Sequence, residues 1–103
     1  MLSGLRERKF NMITAKEARA ATMDRLTIMA KEFIINNTGI PIQDAINNGR
    51  FHTTVSFEGV PSPEKTGEEV VGQLKEQGFE AEHVYYDGPN GYENYILIKW
   101  GDD

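Results

Sequence analysis

The closing segment of this 103-residue chain, residues 92–100, constrains its fold more than any other stretch. Ile96, Ile98 and Trp100 point one way along an extended backbone and Tyr95 and Leu97 the other, so neither side is cleanly polar. A strand of that kind belongs in the interior of a sheet with something laid over each face. Two earlier segments can flank it. In residues 51–57, Phe51, Thr53, Val55 and Phe57 alternate with His52, Thr54 and Ser56, and residues 79–86 form a second extended run. Asp87-Gly88-Pro89-Asn90-Gly91 joins that run to the closing strand as a turn rich in left-handed formers.

Ahead of the strands stands a long helix. Thr14-Ala15-Lys16-Glu17 has the capping-box pattern, in which the threonine hydroxyl accepts from the Glu17 amide and the carboxylate reaches back. Ala15, Ala18, Thr22, Leu26, Met29 and Phe33 recur at steps of three and four, predicting one buried face. Alanines build its first half and bulky residues its second. Asn36-Asn37-Thr38-Gly39 is expected to end it, and residues 41–48 read as a short second helix stopped by Gly49. Thr66-Gly67-Glu68-Glu69 repeats the capping pattern, so a third helix is expected from there to Gly78.

These elements compose an α+β chain: a long N-terminal helix and a short second helix, then a β-α-β-β unit. A strand-helix-strand crossover implies a parallel pair and the last hairpin an antiparallel one, so a small three-stranded mixed sheet is expected. The third helix would cover one face. The other face would fall to the long helix or to a second copy of the chain, because three strands alone are marginal. Self-association through the Ala15, Ala18 and Thr22 helix face is the corresponding expectation. Residues 13–103 read as one domain, and residues 1–12 as a basic, frayed extension.

Charge narrows the choice of partner. Arg6, Arg8, Lys9, Lys16 and Arg19 outnumber Glu7 and Glu17 in the first 20 residues, whereas residues 58–103 carry eleven carboxylates against Lys65, Lys75 and Lys99. That acidic half would repel a phosphate backbone, which argues against nucleic-acid binding. The absence of cysteine excludes disulfides, thiolate metal sites and cysteine nucleophiles, and fits a cytoplasmic setting. No apolar run is long enough to span a bilayer, and residues 1–10 lack the apolar stretch of a signal peptide, so neither membrane insertion nor export is expected.

Few residues invite chemistry. Residues 59–66 approach a phosphate-cradling loop, but Glu64 stands where glycine is required, and Pro61 and Pro63 remove backbone donors. His52 and His83 are the only histidines, and they share a face only if the strand register allows it. Glu80 and Glu82 project together, as paired acids do in some hydrolases, but such charges more often protect a sheet edge. No catalytic residue, metal ligand or cofactor is expected. The most unusual feature is Tyr85, Tyr86, Tyr92 and Tyr95 around one turn that also holds Asp87. Tyrosines offer a large contact area with a polar tip, so these five residues form the candidate binding site for a protein; cross-strand packing is the more ordinary explanation of the cluster.

Residues 12–18 (Met-Ile-Thr-Ala-Lys-Glu-Ala), Ile46-Asn47-Asn48-Gly49 leading into a Phe/Thr/Val strand, Leu74-Lys75-Glu76-Gln77-Gly78-Phe79 and Tyr95-Ile96-Leu97-Ile98-Lys99-Trp100 together resemble small proteins encoded by tailed bacteriophages. The likeness covers residues 12–100 and departs at Pro41 and at the Pro61-Ser62-Pro63 loop. That family has no agreed activity, so no functional residue transfers. The resemblance implies a setting, the cytoplasm of an infected bacterium, and a role as a non-enzymatic protein that binds a host protein in takeover or counter-defence. The alternative is a protein that sequesters a nucleotide-like small molecule, with the tyrosines stacking on the base and Arg50 or the basic start meeting phosphate.

Overall fold

The computed structural model of the chain describes residues 12–102. The basic extension expected over residues 1–12 lies almost wholly outside the described residues. The element order is α1 (Ala15–Asn37), α2 (Gly39–Asn47), β1 (His52–Ser56), α3 (Pro63–Glu76), β2 (Glu80–Gly88) and β3 (Gly91–Lys99). The α+β architecture read from the sequence is the one observed.

The sheet has the order β1-β3-β2, so β3 occupies the centre as its two-sided apolar pattern predicts. Both of its pairings are antiparallel, and this corrects the expectation of a mixed sheet. The crossover through α3 does leave β1 and β2 pointing the same way. The last hairpin folds back between them, so the parallel strands never meet and every ladder is antiparallel. Register sets Val55 against Ile96 on one side and His83 against Ile96 on the other. Alternation then sorts the side chains: Val55, Phe57, Ile96, Ile98 and Ala81 face the helices, and Thr54, Leu97, Tyr95 and Val84 face away.

On the helix side lies the core. Ala30, Val55, Phe57, Val70, Leu74, Ile96 and Ile98 form one buried cluster, with Phe33, Ile34, Phe79, Ala81 and Trp100 packed around it. α3 contributes Val70 and Leu74 at helical spacing, and α1 contributes Ala30 one turn before Phe33 and Ile34. The two helices also meet directly, Gln73 Nε2 donating to the Thr27 carbonyl at 3.1 Å. Both therefore lie on the same face of the sheet. The expectation that the long helix covers the second face is overturned: no residue on that face is buried, and no helix among the described residues packs across it.

Helix α1 is held in two different ways. At its start, the Glu17 amide donates to Thr14 Oγ1 at 3.1 Å and the Thr14 amide to Glu17 Oε1 at 3.0 Å, the expected capping box. From Leu26 onward tertiary packing holds it. Between these points the predicted stripe finds no cover among the described residues: Ala15 and Thr22 are exposed and Ala18 is half-buried. Gly39 does not stop the chain's helical run. Thr38 closes α1, its hydroxyl donating to the Ile34 carbonyl at 2.8 Å, and α2 begins at the next residue. Gly49 does end α2, with φ at +73°.

α3 starts four residues earlier than its capping pattern predicts. Pro63 occupies the first turn, where its missing N–H costs nothing, and Ser62 precedes it at φ +48°. Thr66 is thereby inside the helix and fully buried, so its hydroxyl donates to the Pro61 carbonyl at 2.9 Å instead of capping. This bond fastens the proline-rich loop to the helix. The phosphate-loop likeness of residues 59–66 is thus a structural clasp.

Candidate functional site

The candidate site is the tip of the β2–β3 hairpin, where the register pairs Asp87 with Tyr92 and Gly88 with Gly91. The turn is tighter than expected, since both strands run on to flank only Pro89 and Asn90. Strand alternation divides the tyrosines. Tyr85 and Tyr92 lie on the helix side, Tyr86 and Tyr95 on the open side, so the four do not line one pocket.

Tyr85 and Tyr92 end an aromatic ladder that begins in the core. Phe33 meets Phe57 edge-on at 4.8 Å, Phe57 meets the His83 ring at 4.9 Å, His83 stacks on Tyr85 at 5.5 Å and 9°, and Tyr85 meets Tyr92 edge-on at 6.3 Å. Asn94 braces the ladder from beneath. Its buried amide nitrogen donates to the Phe57 carbonyl at 3.2 Å and to the Tyr92 hydroxyl at 3.1 Å, which leaves Oδ1 to accept from His83 Nε2 at 2.7 Å. That assignment makes His83 the Nε2–H tautomer when neutral. Gly67 of α3 backs the imidazole: a Cβ there would occupy the space of the ring, so only glycine admits the histidine.

Cross-strand packing thus accounts for the positions of Tyr85 and Tyr92. Their outer edges remain exposed, at 39% for Tyr85 and 49% for Tyr92, and Tyr86 is 44% exposed, its ring lying over Gly88 on the far side. Asp87 is exposed between them, whereas Tyr95 is half-buried in mid-sheet and stands apart from the tip. The hairpin tip is therefore an acidic, tyrosine-bearing turn anchored to a hydrogen-bonded base.

The other candidates do not converge. His52 pairs with Lys99 and faces away from the helices, whereas His83 pairs with Ile96 and faces them, so the two histidines stand on opposite sides of the sheet. Among the described residues no group of three or more potential ligands could hold a metal ion. Glu80 and Glu82 are exposed on outer strand β2. Arg50 joins Asp44, Asn48, His52 and Thr54 around a cleft of about 350 Å³ between α2 and β1. This cleft opens at the far end of the sheet from the tyrosines, so base stacking and phosphate binding cannot be shared between them. It is the site that sequence reasoning missed, because only the fold of α2 against β1 creates it.

No helix among the described residues is long and apolar enough to cross a membrane. Comparison with protein-family models, with curated proteins and with solved structures finds no match.

Proposed function

We propose that this chain is a non-enzymatic protein-binding domain of bacteriophage type, acting on a host protein in the cytoplasm of the infected cell. Its contact surface is the hairpin tip. The observation that carries this reading is the exposure of Tyr85, Tyr86 and Tyr92 around Asp87 on a base braced by Asn94. Aromatic side chains held in place lose little entropy on docking, and the acidic rim selects a basic partner surface. The setting rests on the resemblance of residues 12–100 to small phage proteins. Sequestration of a nucleotide-like ligand is the weaker reading, since Arg50 and the tyrosines lie at opposite ends of the sheet.

The test uses immobilised full-length chain and bacterial lysate. A stoichiometric host protein should be retained, and Tyr85→Ser combined with Asp87→Lys should release it while circular dichroism shows the fold intact. Retention unchanged by that double substitution removes the tip from the function.

A further inference from the structure

We infer that the outer edge of β2 takes up an extended, basic segment of a partner protein, added antiparallel as a further strand of the sheet. The starting observation is which backbone groups the sheet leaves unused. In an antiparallel ladder successive residues aim their N–H and C=O groups alternately at one neighbouring strand and at the other. The Phe57 amide donates to the Asn94 carbonyl and the Trp100 amide to the Phe51 carbonyl, both at 2.9 Å, so the even-numbered residues of β3 serve β1. Its odd-numbered residues therefore serve β2, where the register gives them the even-numbered partners from Glu80 to Gly88. Ala81, His83, Tyr85 and Asp87 are left with their N–H and C=O groups pointing outward. No strand among the described residues pairs with that edge.

Exposed edges in natural sheets are usually short, bulged or interrupted by proline. β2 is nine residues long, lacks proline and keeps one unbroken register from Glu80 to Gly88. The opposite edge is less available, because β1 has five residues and α2 packs beside it. An extended segment gains affinity at such an edge from main-chain hydrogen bonds and specificity from its alternate side chains. α3 supplies a wall for those side chains. Thr27 bonds to Glu69 and Gln73, which marks the flank of α3 that faces α1. Gly67 and Val71, one turn apart, occupy the other flank, where Gly67 backs the His83 ring and Val71 is half-buried.

Charge identifies the occupant. β2 carries Glu80, Glu82 and Asp87 with no lysine or arginine. Lys99 lies across from Glu80, whereas Glu82 is exposed opposite Leu97, so Glu82 is the carboxylate left for a partner. α3 adds Glu64, Glu68, Glu69 and Glu76 against Lys65 and Lys75. A second copy paired edge to edge brings the acids of both strands together, which like-charge repulsion opposes. A strand with cations at alternate positions meets no such cost. Its cations fall on the open face beside Glu82, and its intervening residues fall on the helix side beside Val71. Those intervening residues share a face with Ala81, His83 and Tyr85, so theirs are the backbone groups that bond to the edge. The added strand lies alongside Tyr85 and Tyr86 in the plane of the sheet and does not cover the tip.

The probe is an acetylated and amidated heptapeptide of alternating lysine and valine, titrated to about 1 mM into the isotope-labelled full chain and followed by amide NMR. Saturable binding is expected, with slowed amide exchange at Ala81, His83, Tyr85 and Asp87. N-methylation of the valines should abolish binding, because it removes the N–H groups that meet the edge, whereas N-methylation of the lysines should preserve it. These peptides need no variant of the protein. Glu82→Lys should in addition weaken the unmodified peptide about tenfold. No saturation at the highest concentration overturns the proposal. Equal binding of the valine-methylated peptide also overturns it, since charge attraction alone then accounts for the affinity. Protection of the same four amides in the free chain, together with a doubled mass in sedimentation, overturns it by placing a second copy on the edge. The lysate experiment on the hairpin tip stands or falls separately, because it requires a host protein and this titration does not.

Discussion

The two faces of the sheet are made from the same three strands, yet they differ in what the chain lays over them. On the helix side Phe57, Ile96 and Ile98 have no exposed surface, and the side-chain amide of buried Asn94 has both its nitrogen and its oxygen hydrogen-bonded. On the open side Leu97, Tyr95 and Val84 are only half-buried. An apolar side chain stabilises a fold in proportion to the area it removes from water. The helix face therefore specifies the structure, and among the described residues the other face contributes less buried area to it.

The sharpest way to break this contrast is to truncate one residue on each face. Phe57→Ala should cost about 3–5 kcal/mol in urea unfolding, since it empties a fully buried site between Phe33 and His83. Leu97→Ala, measured at low micromolar concentration, should cost about 1 kcal/mol, because part of its surface already meets water. Equal losses at the two sites would erase the distinction.

A smaller effect separates the polar brace from the apolar core around it. Asn94→Ala leaves the Phe57 carbonyl and the Tyr92 hydroxyl without their donor, and about 2 kcal/mol should be lost. The tip should loosen with it, visible as faster amide exchange across residues 85–92. Gly67→Ala acts on the same brace from the helix, and its methyl group collides with the His83 ring for a loss of about 1–3 kcal/mol. In a double-mutant cycle, His83→Ala should recover part of that loss, whereas additive losses would show that the ring and the glycine are not coupled.

The smallest expected change lies in α1, whose halves repeat the contrast on another scale. Thr14→Ala removes a cap worth about 1 kcal/mol to the helix start. Because the following turns carry little tertiary packing, the loss should appear as reduced helicity at 222 nm, with the global unfolding midpoint barely moved.

Much of the fold was legible because the signals were local. The Thr14–Glu17 box and the two-sided pattern of β3 depend on residues close in sequence and are realised, and the turn read over residues 87–91 is present but confined to Pro89 and Asn90. The Thr66–Glu69 box failed because a competing local signal, Pro63 in the first turn, extends the helix and buries Thr66. Alanine spacing along α1 predicted a buried face that packing supplies only from Leu26 onward. For the candidate site, the tyrosines were visible in the sequence but not their division between faces, which follows from register. The His83–Asn94–Tyr92 network had no sequence signal, since its members serve ordinary strand positions.

By itself the sequence determined which segments become helices and strands, that the last strand is central, and which chemistries have no residues to perform them. Those properties reside in hydrogen bonding and side-chain direction over a few residues. Only the tertiary structure decided that the hairpin separates β1 from β2, that both major helices share one face, and that no helix among the described residues covers the other. These outcomes turn on which apolar surfaces meet across long stretches of chain, a competition between packing arrangements that local periodicity does not rank.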